Sequence, residues 1–288
     1  MLQFEIEKII NHLKSFKYQY IVLLLLVLTN ISILKDLVAD WLHDDNYSHG
    51  FFIIPISAYL FFKKRTELTF PSENSRGGFG LFIIGILFII IGTAASEFFT
   101  TRVGFVLALS GFAMYNLGYA NFRKVWFSFF FLFFMIPIPS IIYYAATLPM
   151  QLFATKVTVF LLQVIGVPVA RNGNIIALPD YMLEVVEACS GLRSLMTLLA
   201  LGALYGYTRL PGKVLPIILF VATVPIAIVT NIFRIFTTAL GAYAVSKELA
   251  EDFLHELSGM LVFVTALIMM LILGAVLRWI RSRFISVA

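Results

Sequence analysis

The chain has a single thiol, Cys189, set in Glu187-Ala188-Cys189-Ser190-Gly191-Leu192-Arg193-Ser194. It falls where an irregular stretch gives way to an apolar run of helical character. A thiolate is the reactive form of cysteine, and the positive end of a helix macrodipole favours it. Ser190 and Gly191 are small enough to let a substrate backbone approach, and their N–H groups can face a developing oxyanion. The competing reading makes Cys189 a small buried hydrophobe beside an N-cap serine. A lone cysteine excludes an internal disulfide and a cysteine-rich metal site.

Two further groups lie at positions where polar side chains are costly. Arg234, in Thr230-Asn231-Ile232-Phe233-Arg234, interrupts a long apolar run. An arginine inside a membrane segment is a functional candidate by default. The alternatives are a guanidinium snorkelling to headgroups and a structural ion pair. Asn231 lies three residues earlier, on the same helical face. His255 opens the last apolar run in Leu254-His255-Glu256-Leu257-Ser258-Gly259. A histidine titrates near neutral pH and serves as general acid and base, although at such a position it can equally be a plain polar helix start. Cysteine with histidine is the activated-nucleophile pairing, and a guanidinium can stabilise a tetrahedral oxyanion.

The elements that must position these groups are helices in lipid. Of the 288 residues, 60% are hydrophobic and 13% charged, and the mean hydropathy is +0.94. A water-soluble domain is nearer half apolar and a quarter charged. Apolar segments fall at roughly 20–37, 50–62, 80–98, 103–119, 125–136, 192–207, 214–243 and 255–279. They predict an all-α integral membrane protein of about eight transmembrane helices, forming one polytopic domain over residues 1–288. The first run lacks a small-residue cleavage site and reads as a retained anchor. Residues 141–165 are apolar but interrupted by Pro149, Gln151, Lys156 and Gln163, and read as a helix lying in the interface. Asn172-Gly173 is a turn signal between apolar flanks, so a small outer-face hairpin is expected just before Cys189.

Basic residues set the orientation. Lys8, Lys14 and Lys17, then Lys63, Lys64, Arg65 and Arg76, then Arg123 and Lys124, then Arg209 and Lys213, and finally Arg278, Arg281 and Arg283 all fall on one side of an eight-span chain. That side is the cytoplasm, with both termini there. Cys189, Arg234 and His255 then face outward. The net charge of +5 reflects this asymmetry, and nucleic acid is not an expected partner.

These blocks resemble the exosortase/archaeosortase family. The resemblance rests on Ala188-Cys189-Ser190-Gly191-Leu192-Arg193-Ser194, Asn231-x-x-Arg234 and the later His255, in that order. Asn46-Tyr47-Ser48-His49-Gly50, followed by Pro55, is similar to the family's first outer loop. The likeness covers about residues 40–265. It implies an inner-membrane cysteine peptidase or transpeptidase that cuts exported proteins near a C-terminal tripartite signal. That signal comprises a short motif such as Pro-Glu-Pro, one membrane helix and a basic cluster. The cut protein passes to an envelope acceptor. The resemblance makes Cys189 the nucleophile, His255 the acid/base and Arg234 the transition-state stabiliser. Ser190, Gly191, Asn231 and His49 would support them or bind substrate. No cofactor or metal is implied.

Two other readings compete. A purely hydrolytic membrane protease would use the same site with water as acceptor. A non-catalytic transporter or scaffold for envelope polysaccharide would need polar residues through the bilayer midplane, and the apolar runs hold few. No H-E-x-x-H spacing occurs to suggest a metalloprotease, although His43 and His49 with Asp44 and Asp45 form a loop of ligand-type residues.

Overall fold

The computed structural model describes residues 17–44, 46–70, 72–179, 181–185, 192–244 and 254–284. The chain opens with α1 (Lys17–Thr29) and α2 (Ile31–His43), bent by 58° about Asn30. Asn30 is buried, and its Nδ2 donates to Leu26 O at 2.8 Å. Its own carbonyl accepts from Leu34 N at 3.0 Å, so the break is bridged rather than open. Then follow α3 (Gly50–Lys64), α4 (Arg76–Ala94) and α5 (Phe98–Phe131). Next come α6 (Ser140–Val164), three short strands, α7 (Leu192–Arg209), α8 (Val214–Ala244) and α9 (Leu254–Phe284).

Among the described residues, five helices are long and apolar enough to cross a membrane, or six if the bent α1–α2 pair is one span. This is a multi-pass membrane protein, but by length and composition fewer helices qualify than the eight apolar runs suggest. The fourth and fifth runs fall on the two helical stretches of α5, which meet at a kink at Gly118 (φ +75°, ψ 157°). A side chain there would strike Glu73 O. The second run forms α3, whose 15 residues rise only about 22 Å. The stretch 141–165, expected as an interfacial helix, falls almost wholly within one 25-residue helix of spanning length, α6 (Ser140–Val164). The 18-residue α7 is not among the candidates, because Arg193 and Arg209 dilute its apolar run.

The chain divides into two compact units. The first comprises Met1–His43 and Gly50–Pro137. Its centre is the antiparallel pair α4–α5, joined backbone to backbone. Cβ atoms added at Gly78, Gly85 and Gly92 would strike Tyr115 N, Ala108 N and Thr101 Oγ1. From the other side, Gly104 and Gly111 face Ile89 N and Phe82 N. Without a hydrophobic drive between helices in lipid, such close approach through small residues is what holds them together. The loop into α5 is capped by Glu97, whose carboxylate accepts from Phe99 N and Thr100 N. Partial burial pushes that carboxyl up, but these donors and the nearby Arg102 charge outweigh it, so its pKa lies below the usual value. Arg102 is 6% exposed and binds Asp40 Oδ2 at 2.6 Å.

The second unit comprises Asp44–His49 and Ile138–Ala288. β1 (Ala170–Asn172), β2 (Ile175–Leu178) and β3 (Tyr181–Glu184) form an antiparallel sheet in chain order. The first turn is Gly173-Asn174, one residue beyond the signal in the sequence, with Gly173 at φ +63°. Ile176, Leu178, Leu183 and Val185 are buried and form one core with Ala154, Val159 and Leu162 of α6 and Ile235 and Ala239 of α8. Alternation along the strands puts these side chains on one face. A separate core joins α7, α8 and α9 through Leu198, Leu219, Ala227, Ala266 and Met270.

Candidate active site

Arg234 lies in the C-terminal half of α8, next to Ile235, which packs under the sheet. It is 8% exposed, so its head group is held inside the unit and does not reach out to lipid headgroups. A Cβ placed on Gly259 would stand 3.7 Å from Arg234 Nη2 and 3.9 Å from Cζ. The glycine thus opens the face of α9 on which the guanidinium rests. His255 is the second residue of α9, one helical turn before Gly259. Arg234 therefore rests against α9 one turn along the helix from the position of His255.

Asn231 is 3% exposed, and among the described residues its Oδ1 has no hydrogen-bond partner. A buried acceptor left open costs about 1–3 kcal/mol, so it is a natural place for a donor from a bound molecule. Thr230, beside it, satisfies its hydroxyl locally on Ile226 O at 2.9 Å.

Cys189, Ser190 and Gly191 lie outside the described residues, and the chain is described on either side of them. Val185, four residues before Cys189, is fully buried in the core that holds Ile235. Its N–H donates to Asn174 O at 2.9 Å, and its carbonyl accepts from Asn174 Nδ2 at 3.3 Å. Leu192, three residues after Cys189, starts α7.

His49 belongs to the same unit, through the segment 44–49, and is 8% exposed. Its ring centroid lies 6.3 Å from that of Tyr47. Tyr47 Oη accepts from Ile138 N at 3.1 Å, tying this segment to the start of α6. Burial pushes the Tyr47 phenol above its ordinary pKa; the Ile138 N–H acts the other way and the Asp44 charge adds to the rise. Tyr47 is therefore a neutral phenol.

Sequence reasoning missed a further set of polar groups. Thr147, Gln151, Thr155 and Thr158 of α6 are all buried, at spacings of four, four and three. Thr155 Oγ1 donates to Gln151 O at 2.8 Å, whereas Thr158 Oγ1 has no partner among the described residues. The signal was the helical spacing of threonines. Pro149, Gln151, Lys156 and Gln163 stand out in the sequence as interruptions of this run, whereas the threonines do not, because their hydroxyls carry no charge to mark them.

The helices and this buried polar cluster define a polytopic membrane protein with a candidate site inside its second unit. A family model for transmembrane exosortases (Exosortase_EpsH) matches residues 41–272, and the chain belongs to that family. No curated protein and no solved structure matches it.

Proposed function

We propose that this exosortase-family protein is a cysteine transpeptidase that cuts the C-terminal sorting signal from exported proteins. Cys189 is the nucleophile, His255 the acid/base and Arg234 the oxyanion stabiliser, with Asn231, Ser190, Gly191 and His49 supporting substrate. The observation that carries this reading is Arg234, buried in α8 and lying against α9 at Gly259, one turn from His255. The strand leading toward Cys189 shares a core with Ile235, the next residue along α8.

In this mechanism the Cys189 thiolate attacks the scissile carbonyl carbon, and negative charge passes to its oxygen. Preorganised donors are worth most at that oxygen, and a guanidinium held in place reorganises little as charge develops. The C–N bond then breaks, and the departing amine takes a proton from His255. The resulting thioester is resolved by an acceptor amine, or by water if the enzyme only hydrolyses.

The basic end of the second unit supports a sidedness for this reading. Arg281 Nη1 donates to Pro211 O at 2.6 Å, which brings the end of α9 that carries Arg278, Arg281 and Arg283 to the α7–α8 turn, flanked by Arg209 and Lys213. The positive-inside rule assigns that end to the cytoplasm. The Arg234 end is then the outer, periplasmic side of the inner membrane, where exported substrates arrive.

The test is co-expression with exported proteins bearing tripartite C-terminal tails, following their size and location. A substrate shortened only when the enzyme is present, and left whole by Cys189→Ala, supports the assignment. Equal processing by Cys189→Ala overturns it.

A further inference from the structure

A cavity of about 320 Å³ opens in the first unit, away from every residue assigned above. It lies among α1, the chain entering α4, and α5. Its lining is ordered along the helix axes. Tyr18 and Gln19 begin α1, and Val22 follows one turn in. Asn74 precedes α4, and Phe79 and Phe82 lie one and two turns along. On α5, Tyr115 and Asn116 lie near the Gly118 break, and Phe112 is one turn away from it. All three elements thus put amide and phenol groups at one end of the cavity and hydrocarbon at the other.

The polar end is also the basic end. Lys17 Nζ sits 4.8 Å over the Tyr18 ring, and Arg76 opens α4 two residues after Asn74. Gln19 Oε1 is buried and has no hydrogen-bond partner among the described residues. Gln19 is one of the residues lining the cavity, and its unpaired amide oxygen calls for a donor. The volume falls in the range of small-molecule sites, about 300–1,000 Å³.

We propose that this cavity is a binding site for one anionic phospholipid. An acyl chain lies against Val22, Phe79, Phe82 and Phe112. A headgroup hydroxyl donates to Gln19, and the phosphate is drawn by Lys17 and Arg76. Lipid is the solvent of this surface, so occupancy needs no delivery. Selectivity comes from the two bases, since anionic headgroups near a cationic surface gain about 1 kcal/mol per Lys or Arg.

Native mass spectrometry of the full chain in detergent, titrated with phosphatidylglycerol or phosphatidylethanolamine, tests this. The wild type is expected to retain one phosphatidylglycerol per chain and to bind it several-fold more tightly than phosphatidylethanolamine. Val22→Trp, which fills the apolar end, should lower that affinity at least tenfold. Ile84→Trp, on an exposed position of α4, should leave it unchanged. Gln19→Leu keeps the side-chain bulk but removes the acceptor, and should cost several-fold even if Val22→Trp does not fold. Arg76→Gln should erase the preference between the two lipids. Equal binding of both lipids by the wild type, or unchanged binding in both Val22→Trp and Gln19→Leu, overturns the proposal.

Discussion

Arg234 and Gly259 are matched across the α8–α9 interface: Nη2 of the guanidinium lies 3.7 Å from the absent Cβ, so a methyl at 259 would just touch it and a larger side chain would enter its space. This makes residue 259 a graded handle on Arg234. Gly259→Ala adds one methyl at ordinary van der Waals distance and should process substrate within a few-fold of wild type. Gly259→Leu displaces the guanidinium, and a misplacement of about 1 Å can cost roughly 10²-fold in rate. The measurement is the ratio of cut to uncut substrate at matched membrane levels; equal ratios for Leu and Ala would separate Arg234 from the chemistry.

Arg234→Lys separates stabiliser from anchor. Lysine keeps the charge but loses the planar fork. If the fork holds the oxyanion, processing should fall by about 10²–10³-fold while the protein inserts normally. Uncut substrate should then accumulate beside the enzyme. Near-normal processing would return Arg234 to a structural role.

Cys189→Ala should abolish processing and Cys189→Ser should nearly do so, because a site built for a thiolate rarely activates a hydroxyl. Both proteins should accumulate in the membrane to wild-type levels, which immunoblotting of membrane fractions checks.

The arrangement of bases gives a topological test. Tyr207, close to Arg209 at the basic end, should report a cytoplasmic location in a reporter fusion. A membrane-impermeant thiol reagent should label the sole cysteine in intact spheroplasts. An external reading at Tyr207 would reverse the sidedness of the second unit.

In the first unit, Gly85→Val should destabilise the protein. Its Cβ would strike Ala108 N, and overpacking of this kind costs about 1–3 kcal/mol. Gly80 has nothing within 4 Å of an added Cβ, so Gly80→Ala should be neutral or slightly stabilising. Thermal unfolding in detergent distinguishes the two; equal melting temperatures would mean that the helices do not touch at Gly85.

Much of the candidate site was legible from cost alone. Arg234 stood out because charge inside an apolar run is rare, and His255 because it opens one. The spans were less legible. Arg123 and Lys124 divide two apolar runs in the sequence, and α5 is kinked close to that division, at Gly118, whose non-helical conformation separates two helical stretches. Asn30 bends the first run while supplying hydrogen bonds on both sides, which hydropathy cannot register. The shared core of α6, the sheet and α8 was invisible for a different reason. Periodicity shows that Ile176 and Ile235 are buried faces, but not that they face the same interior.

The glycine seam between α4 and α5 also bears on how the chain enters the bilayer during synthesis. Charged and amide side chains are costly to insert in a lone segment, most of all toward its centre, and α5 carries Arg102, near its start, and Asn121 among its buried residues. The preceding α4 is separated from it by only Ala95, Ser96 and Glu97, and its glycines match the α5 backbone. The two segments are suited to leave the insertion machinery as one preassembled hairpin, with Arg102 already turned toward Asp40 of the earlier α2 and never presented alone to acyl chains.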